Sequence, residues 1–370
     1  MKVAVIGAGS IGNHLSYSAR KLNWNVSVFD QDPDALRRFK EDIYPSRYGK
    51  FDSAIQLSES QSLHKHDSHH FDAVLIGTPP DSHLEVLKQS LRLKPRIILI
   101  EKPICPPIES DIFSIKDIFE SNSDINFLSG YNHRMSYVTQ NLLNMAKLFE
   151  ERIEKLDVHW LETWDGILKA HPWLKGPGDT YLGSTLRGGG ALFEHSHGLD
   201  LWLQMAKFLK LGTPSIVRAH LSEVEIPDKE AKYDEEVTIR ISTEIGFQGE
   251  VVQDVVTEPA SKTIILQGDK HVYECSYGKE GKDLVLMRPL NETIGSVNIQ
   301  VEKSRPSDFD PSIAAIHRLF SNLRLDSSPL NLGAMSALIT SYVGKCAIDS
   351  ARSNSDVSID LSDWSTLQNA

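Results

Sequence analysis

Glu194, His197 and Asp200 stand three residues apart, a spacing that places them on one side of a helix. An imidazole there can take a hydroxyl proton near neutral pH, while one carboxylate orients the ring and another holds a ligand hydroxyl. His195 would point away from His197 on the same helix, which argues against a His-x-His metal pair. A second candidate is Lys102, in Glu101-Lys102-Pro103 directly after the apolar run Arg96-Ile97-Ile98-Leu99-Ile100. A proline there stops the strand and fixes the chain direction. The ammonium is then held at the strand's mouth, able to polarise an oxygen or to exchange a proton if its pKa falls. Alone, each pattern reads as a polar helix start or a surface lysine. Oxidation of a secondary alcohol needs both functions, with a hydride acceptor close to the carbon.

The chain opens with residues able to hold such an acceptor. Val3-Ala4-Val5-Ile6 runs into Gly7-Ala8-Gly9-Ser10-Ile11-Gly12. This is a buried strand followed by the glycine loop whose backbone N–H groups face a dinucleotide pyrophosphate. The loop residues Gly7, Gly9, Ser10, Ile11 and Gly12 are assigned to the cofactor. Ile11, Leu15 and Ala19 recur at helical spacing, and a second strand, Val26-Ser27-Val28-Phe29, ends in Asp30. An acid about 20 residues beyond the glycines is where ribose hydroxyls are held. Asp30 favours NAD, because a carboxylate repels the 2′-phosphate of NADP; Arg37 and Arg38 leave NADP open. Two further strand-end patterns join this cofactor set. Thr78, Pro79 and His83 follow one strand, and Glu101 and Lys102 follow the next.

Composition sets bounds. The 370 residues suit two domains, and the formal net charge of −11 argues against nucleic acid and anionic membranes as partners. Cys105, Cys275 and Cys346 are far apart and form no metal or redox spacing. Met1-Lys2 enters the first strand directly and no apolar run approaches a membrane span, so a cytoplasmic protein is expected. The histidine-rich stretch His64-Lys65-His66-Asp67-Ser68-His69-His70 reads as a solvated loop rather than a metal site.

The elements that position these residues fall into two sets. Residues 1–129 alternate strands and helices, which predicts a parallel, doubly wound sheet with right-handed crossovers. Residues 130–352 read differently. A helix over 135–150 and an extended run over 153–164 are followed by a helix over 192–209. Strands are predicted at 214–226, 236–243, 247–257, 261–267 and 271–277, with short loops that imply antiparallel neighbours. Helices near 310–324 and 331–352 close this part, and residues 353–370 form a polar tail. The fold class is α/β, a Rossmann domain plus an α+β domain with a large, mainly antiparallel sheet. Valines on both faces of the run 251–256 suggest helices on one face of that sheet and a partner subunit on the other, in a homodimer or homotetramer. Trp164 and Asp165 are candidates for a substrate pocket, since aromatic faces beside polar groups suit carbohydrate; Trp160 is read as core.

In order, Gly7–Gly12, Thr78-Pro79, Glu101-Lys102-Pro103, Gly130-Tyr131-Asn132-His133-Arg134 and Gly188-Gly189-Gly190-Ala191-Leu192 resemble the Gfo/Idh/MocA family from Met1 to about Ala351. These are two-domain nicotinamide-dependent oxidoreductases acting mostly on sugars, inositols and related polyols. The resemblance implies that Lys102 is the catalytic lysine, that Lys102-Pro103 is a cis peptide, and that Asn132 and Arg134 line the substrate pocket. It matches His197 and Asp200 to the histidine and second aspartate of the family's helix. The first aspartate has two counterparts: Glu194 counting from the glycines, Phe193 counting back from His197. The substrate class implied is a sugar, amino sugar, nucleotide-linked sugar or polyol. Members with Glu-x-Ser-His-x-x-Asp look like those of surface-glycan pathways. Two other readings stay open, a redox-neutral NAD-dependent glycosidase or lyase on the same fold and a non-catalytic dinucleotide-binding regulator.

Overall fold

In the computed structural model, residues 1–60, 71–169, 171–229, 231–291, 297–302, 308–321 and 330–364 are described. The histidine-rich stretch from His64 lies outside them. The N-terminal strands are β1 (Lys2–Ile6), β2 (Asn25–Asp30), β3 (Gln56–Glu59), β4 (Ala73–Ile76), β5 (Ile97–Ile100) and β6 (Asn126–Ser129). They form one sheet in the order β3-β2-β1-β4-β5-β6, and every pair is parallel. That is the doubly wound order, which carries ligands beyond the carboxyl ends of the strands. The central strands β1, β4 and β5 are short, apolar and almost wholly buried, because both faces of the sheet are covered there.

The helices of this half are α1 (Ser10–Lys21), α2 (Pro33–Arg38), α3 (Tyr44–Tyr48), α4 (His83–Leu91) and α5 (Glu109–Ser121), with a π-helical turn at Phe39–Ile43. The second half holds α6 (Tyr137–Leu148), α7 (Trp164–Leu168), α8 (Gly190–Glu194), α9 (His197–Phe208), α10 (Asp310–Phe320) and α11 (Ala334–Ser353). Its strands are β7 (Ile153–Leu161), β8 (Pro214–Ile226), β9 (Ala231–Thr243), β10 (Gln248–Asp254), β11 (Ser261–Gly268), β12 (His271–Lys279), β13 (Lys282–Pro289), β14 (Val297–Glu302) and β15 (Val357–Ser358). They make a nine-stranded sheet in the order β14-β13-β12-β11-β7-β10-β9-β8-β15. The sheet is antiparallel except for β7 beside β10. The strands β13 and β14 extend it beyond the runs expected from sequence.

Two differences from the expected layout bear on the site. The helix expected over 192–209 is broken. α8 ends at Glu194, and α9 starts at His197. Phe309, Ile313, Ala315 and Ile316 leave the large sheet and pack with Val3, Val5, Val28 and Leu75 of the N-terminal sheet. Residues 354–364, expected as part of a polar tail, are partly packed. β15 pairs with β8, and Trp364 is buried beside Tyr342 and Phe113. Among the described residues, no helix is long and apolar enough to cross a membrane.

Candidate active site

The glycine loop is built as its sequence implies. Gly7 has φ +106°, and a Cβ on it would lie 2.7 Å from the carbonyl oxygen of Gly77; a Cβ on Gly12 would lie 1.9 Å from that of Gly7. These two glycines set the turn and the approach of α1 to β1 and β4. Gly9 differs, because a Cβ there meets nothing within 4 Å. The space beside it belongs to a cleft of about 750 Å³, lined by Gly9, Ser10 and Ile11 at one end and by Trp160, Glu162 and Lys262 of the large sheet at the other. Asp30 accepts from the backbone N–H of Ala8 (2.7 Å) and of Asp32 (2.9 Å), which fixes its carboxylate at the end of β2 beside the loop. Arg37 faces Asp34, Glu41 and Asp42, and Arg38 faces Asp32. Both guanidinium groups thus have carboxylate partners, which leaves the rim acidic and suits NAD.

Thr78, Pro79, Glu101 and Lys102 line the cleft where β4 and β5 end. His83 does not line it. It is fully buried, with Nε2 2.8 Å from the carbonyl of Thr78 and Nδ1 3.1 Å from that of Ile104, and burial holds its pKa below the usual range. Its place on the first turn of α4 points the ring inward, so it ties the two strand-end loops together instead of touching a cofactor. The Lys102-Pro103 peptide is cis. Lys102 Nζ donates to the carbonyl of Glu194 (2.6 Å) and stands 3.1 Å from Glu194 Oε2.

The break between α8 and α9 decides which residues meet Lys102. Gln253 on β10 donates to the carbonyls of Ala191 (3.0 Å) and Leu192 (3.1 Å). Asp234 on β9 accepts the N–H of Leu192 (2.6 Å), so two strands grip α8. The ring of His195 donates from Nε2 to the carbonyl of Glu162 at the end of β7 (3.3 Å), and Tyr131 donates to Ser196 Oγ (3.1 Å). With the chain turned between helices, Glu194, His195 and His197 all line the same cleft. The expectation that His195 points away from His197 fails because it assumed an unbroken helix. Burial, with Lys262 nearby, pushes the His195 pKa well below its usual value, which keeps the ring neutral. Among the described residues, no group of three or more His, Cys, Asp or Glu side chains is arranged to hold a metal. The two counterparts of the family's first aspartate also separate: Phe193 is in the core against Gly344, and Glu194 faces the cleft.

Asp200 and Arg134 are not in the cleft. Arg134 Nε donates to Asp200 Oδ2 (2.7 Å) and Nη2 to Oδ1, with both side chains fully buried. Arg134 also donates to the carbonyls of Asn331 (3.2 Å) and Gly333 (3.3 Å), and Thr340 donates to Asp200 (2.8 Å). Asp200 lies one helical turn inside α9, on the side packed against α11. The pair locks α9 and the segment before α11 to the turn at Asn132–Met135. Asn132 does line the cleft, with its amide donating to the carbonyl of Asp308 (3.2 Å). Trp164 is buried edge-on to Tyr233, and Asp165 is exposed on α7; neither lines the cleft. Trp160 is buried as expected of core and also forms cleft wall.

Several other residues line the cleft. His133 sits 4.7 Å, centroid to centroid, from His197, and Trp160 sits 5.6 Å from it. Lys262 Nζ lies 2.6 Å from Glu162 Oε2 and over the Trp160 ring, because Lys262 is the partner of Trp160 across β7 and β11. Tyr181, His14, Arg47, Tyr48 and Phe309 also line the cleft. They come from turns and a returning segment whose meeting depends on the tertiary fold.

Residues 1–130 match the family described as an oxidoreductase family with an NAD-binding Rossmann fold, Gfo/Idh/MocA. The match covers the N-terminal part of the chain, the part that carries the parallel sheet. No curated protein sequence matches the chain. Over 97% of its length the chain is similar in fold to levoglucosan dehydrogenase in complex with NADH and levoglucosan, with TM-score 0.71, 16% identity and 99% of that chain covered. It is similar, again over 97% of its length, to an aldose-aldose oxidoreductase from Caulobacter crescentus complexed with glycerol, with TM-score 0.71, 14% identity and 99% of that chain covered. A third similar structure is an oxidoreductase from Agrobacterium radiobacter in complex with NAD+, L-tartaric acid and magnesium, with TM-score 0.68, 18% identity and 97% and 98% of the two chains covered. At these identities the likeness is one of fold. The open side of Gly9 and the acidic end of β2 fit an NAD cofactor.

Proposed function

We propose that the protein transfers a hydride between NAD and a secondary alcohol or ketone of a sugar, amino sugar, nucleotide-linked sugar or polyol. The observation that carries this reading is the convergence of Lys102, Glu194 and His197 in one cleft that begins at the glycine loop. Gly9, Ser10, Ile11, Asp30, Thr78, Pro79 and Glu101 are the residues that would hold the cofactor. NAD, when bound, supplies the hydride acceptor or donor. Lys102 then stabilises negative charge on the reacting oxygen, held in place by Glu194. His197 takes or returns the hydroxyl proton, with its ring braced by Tyr131, His133 and Trp160. Asn132 and the aromatic wall hold the rest of a small polar ring. The sugar and oxidoreductase names of the similarly folded proteins support this substrate class.

Assembly through the open face of the large sheet, as a homodimer or homotetramer in the cytoplasm, is part of the same reading. Its support is the long sheet with Ile216 of β8 left outward. The test is turnover by Lys102→Ala and His197→Ala on a sugar that the wild type oxidises. A drop in kcat of about a hundredfold or more is expected for each. Wild-type turnover in both variants would remove the assigned roles.

A further inference from the structure

We propose that Trp173 and the turn that carries it form a subsite for a second ring, so that the substrate is a sugar bearing either another sugar or a nucleotide; this rests on the substrate part of the reading above. The chain holds six tryptophans. Trp24, Trp160, Trp164, Trp202 and Trp364 are buried, whereas Trp173 is 36% exposed and lines the cleft. An indole left open in a concave site is a surface that the C–H face of a sugar or the flat face of a base can cover.

A continuous wall leads to it from the proposed chemistry. The Trp160 ring is 5.6 Å from that of His197, and Lys262 Nζ lies over Trp160 at 5.8 Å. Lys262 reaches Glu162 (2.6 Å), and a Cβ on Gly166 would lie 2.9 Å from Glu162 Oε1. Gly166 is on α7, whose Ile167 carbonyl accepts from His171 Nδ1 (3.2 Å). The His171 ring meets Trp173 edge-to-face at 5.4 Å. Every residue of this series lines the cleft. The wall thus continues past the place where a single ring would meet Lys102 and His197, and it ends on an open aromatic. The turn around Trp173 is anchored on both sides. The N–H of His171 donates to the carbonyl of Leu168 (2.8 Å), and that of Leu174 to the carbonyl of His171 (2.9 Å). Leu174 packs on the core. Asp179 accepts from the N–H of Lys175 (2.9 Å) and from Lys229 (2.8 Å). A ring presented from an anchored turn loses little freedom when a ligand stacks on it.

Calorimetry on the NADH-loaded protein tests this. The probes are glucose, galactose and N-acetylglucosamine, each beside a matching disaccharide (cellobiose, lactose, N,N′-diacetylchitobiose) and its UDP derivative. They are titrated onto the wild type, Trp173→Ala and Trp173→Phe, with the fold checked by thermal melting. At least one two-ring probe is expected to bind the wild type about tenfold or more tighter than its single-ring partner. Trp173→Ala removes that advantage and leaves the single-ring Kd values in place. Trp173→Phe, which restores an aromatic face, keeps part of it. An advantage confined to the disaccharides identifies the second ring as a sugar; one confined to the UDP derivatives identifies a nucleotide. Two-ring probes that bind the wild type no tighter than their single-ring partners would overturn the proposal. So would an advantage that survives in Trp173→Ala, or a loss there shared equally by single-ring and two-ring probes. Failure to bind any probe while NADH is bound would strike the sugar reading itself, and the proposal with it.

Discussion

Lys102 was legible in the sequence because a proline behind it and a strand before it leave little choice about where it stands. His197 was legible through its helix, and Glu194 through the glycines that precede it. Asp200 and Arg134 were misplaced for one reason. A charged pair written in a motif looks the same whether it faces a ligand or another charge, and only packing tells them apart. Here they bond each other in the core, and their worth is structural. Removal of one partner strands a buried charge, which costs about 3–5 kcal/mol. Arg134→Ala is therefore expected to lose stability of that order in denaturant unfolding, while Asp200→Asn, which leaves a hydrogen-bonding amide, loses less. A loss below about 1 kcal/mol for Arg134→Ala would contradict the buried-lock role.

At the scale of elements, every strand of the parallel sheet except β3 was readable, because buried strands leave apolar runs and the glycine loop marks its place. The break between α8 and α9 was not readable. Glu194-His195-Ser196-His197 has no proline, and its turn is set by Gln253, Asp234, Glu162 and Tyr131, which lie far away in sequence. Asp234 gives this grip a pH signature. Burial raises its pKa from 3.8 to about 6 against the bonds from Thr185 and Leu192. The unfolded chain ionises Asp234 near pH 4, while the folded chain keeps the proton until about pH 6. Its contribution is complete below about pH 4 and declines as pH rises to about 6, by about 3 kcal/mol. Asp234→Asn removes this dependence. Unfolding free energies of the two proteins, compared at pH 4 and pH 6.5, should move in favour of the variant as pH rises. A constant difference between them would contradict the shift.

For the whole molecule, the two-part plan followed from the change of rhythm near residue 130, but the return of the chain did not. Phe309, Ile313 and Ile316 are ordinary amphipathic helix residues in sequence. Only the fold shows that they cover the N-terminal sheet and bring Phe309 to the cleft. Val357, Ile359 and Trp364 likewise sit among polar residues, and their alternation was too short to read. The result is a cleft walled by residues from Gly9 to Phe309, with the glycine loop and the Lys102–Glu194–His197 cluster in one space. The proposed reaction is hydride transfer between NAD and a sugar held in that cleft. The most direct measurement is absorbance of reduced nicotinamide while the wild type, supplied with NAD+, turns over a panel of sugars, nucleotide sugars and polyols. Net accumulation in step with oxidised product is the predicted result, abolished in Lys102→Ala and His197→Ala. Release of a cleaved or eliminated sugar with no net reduced cofactor would contradict it.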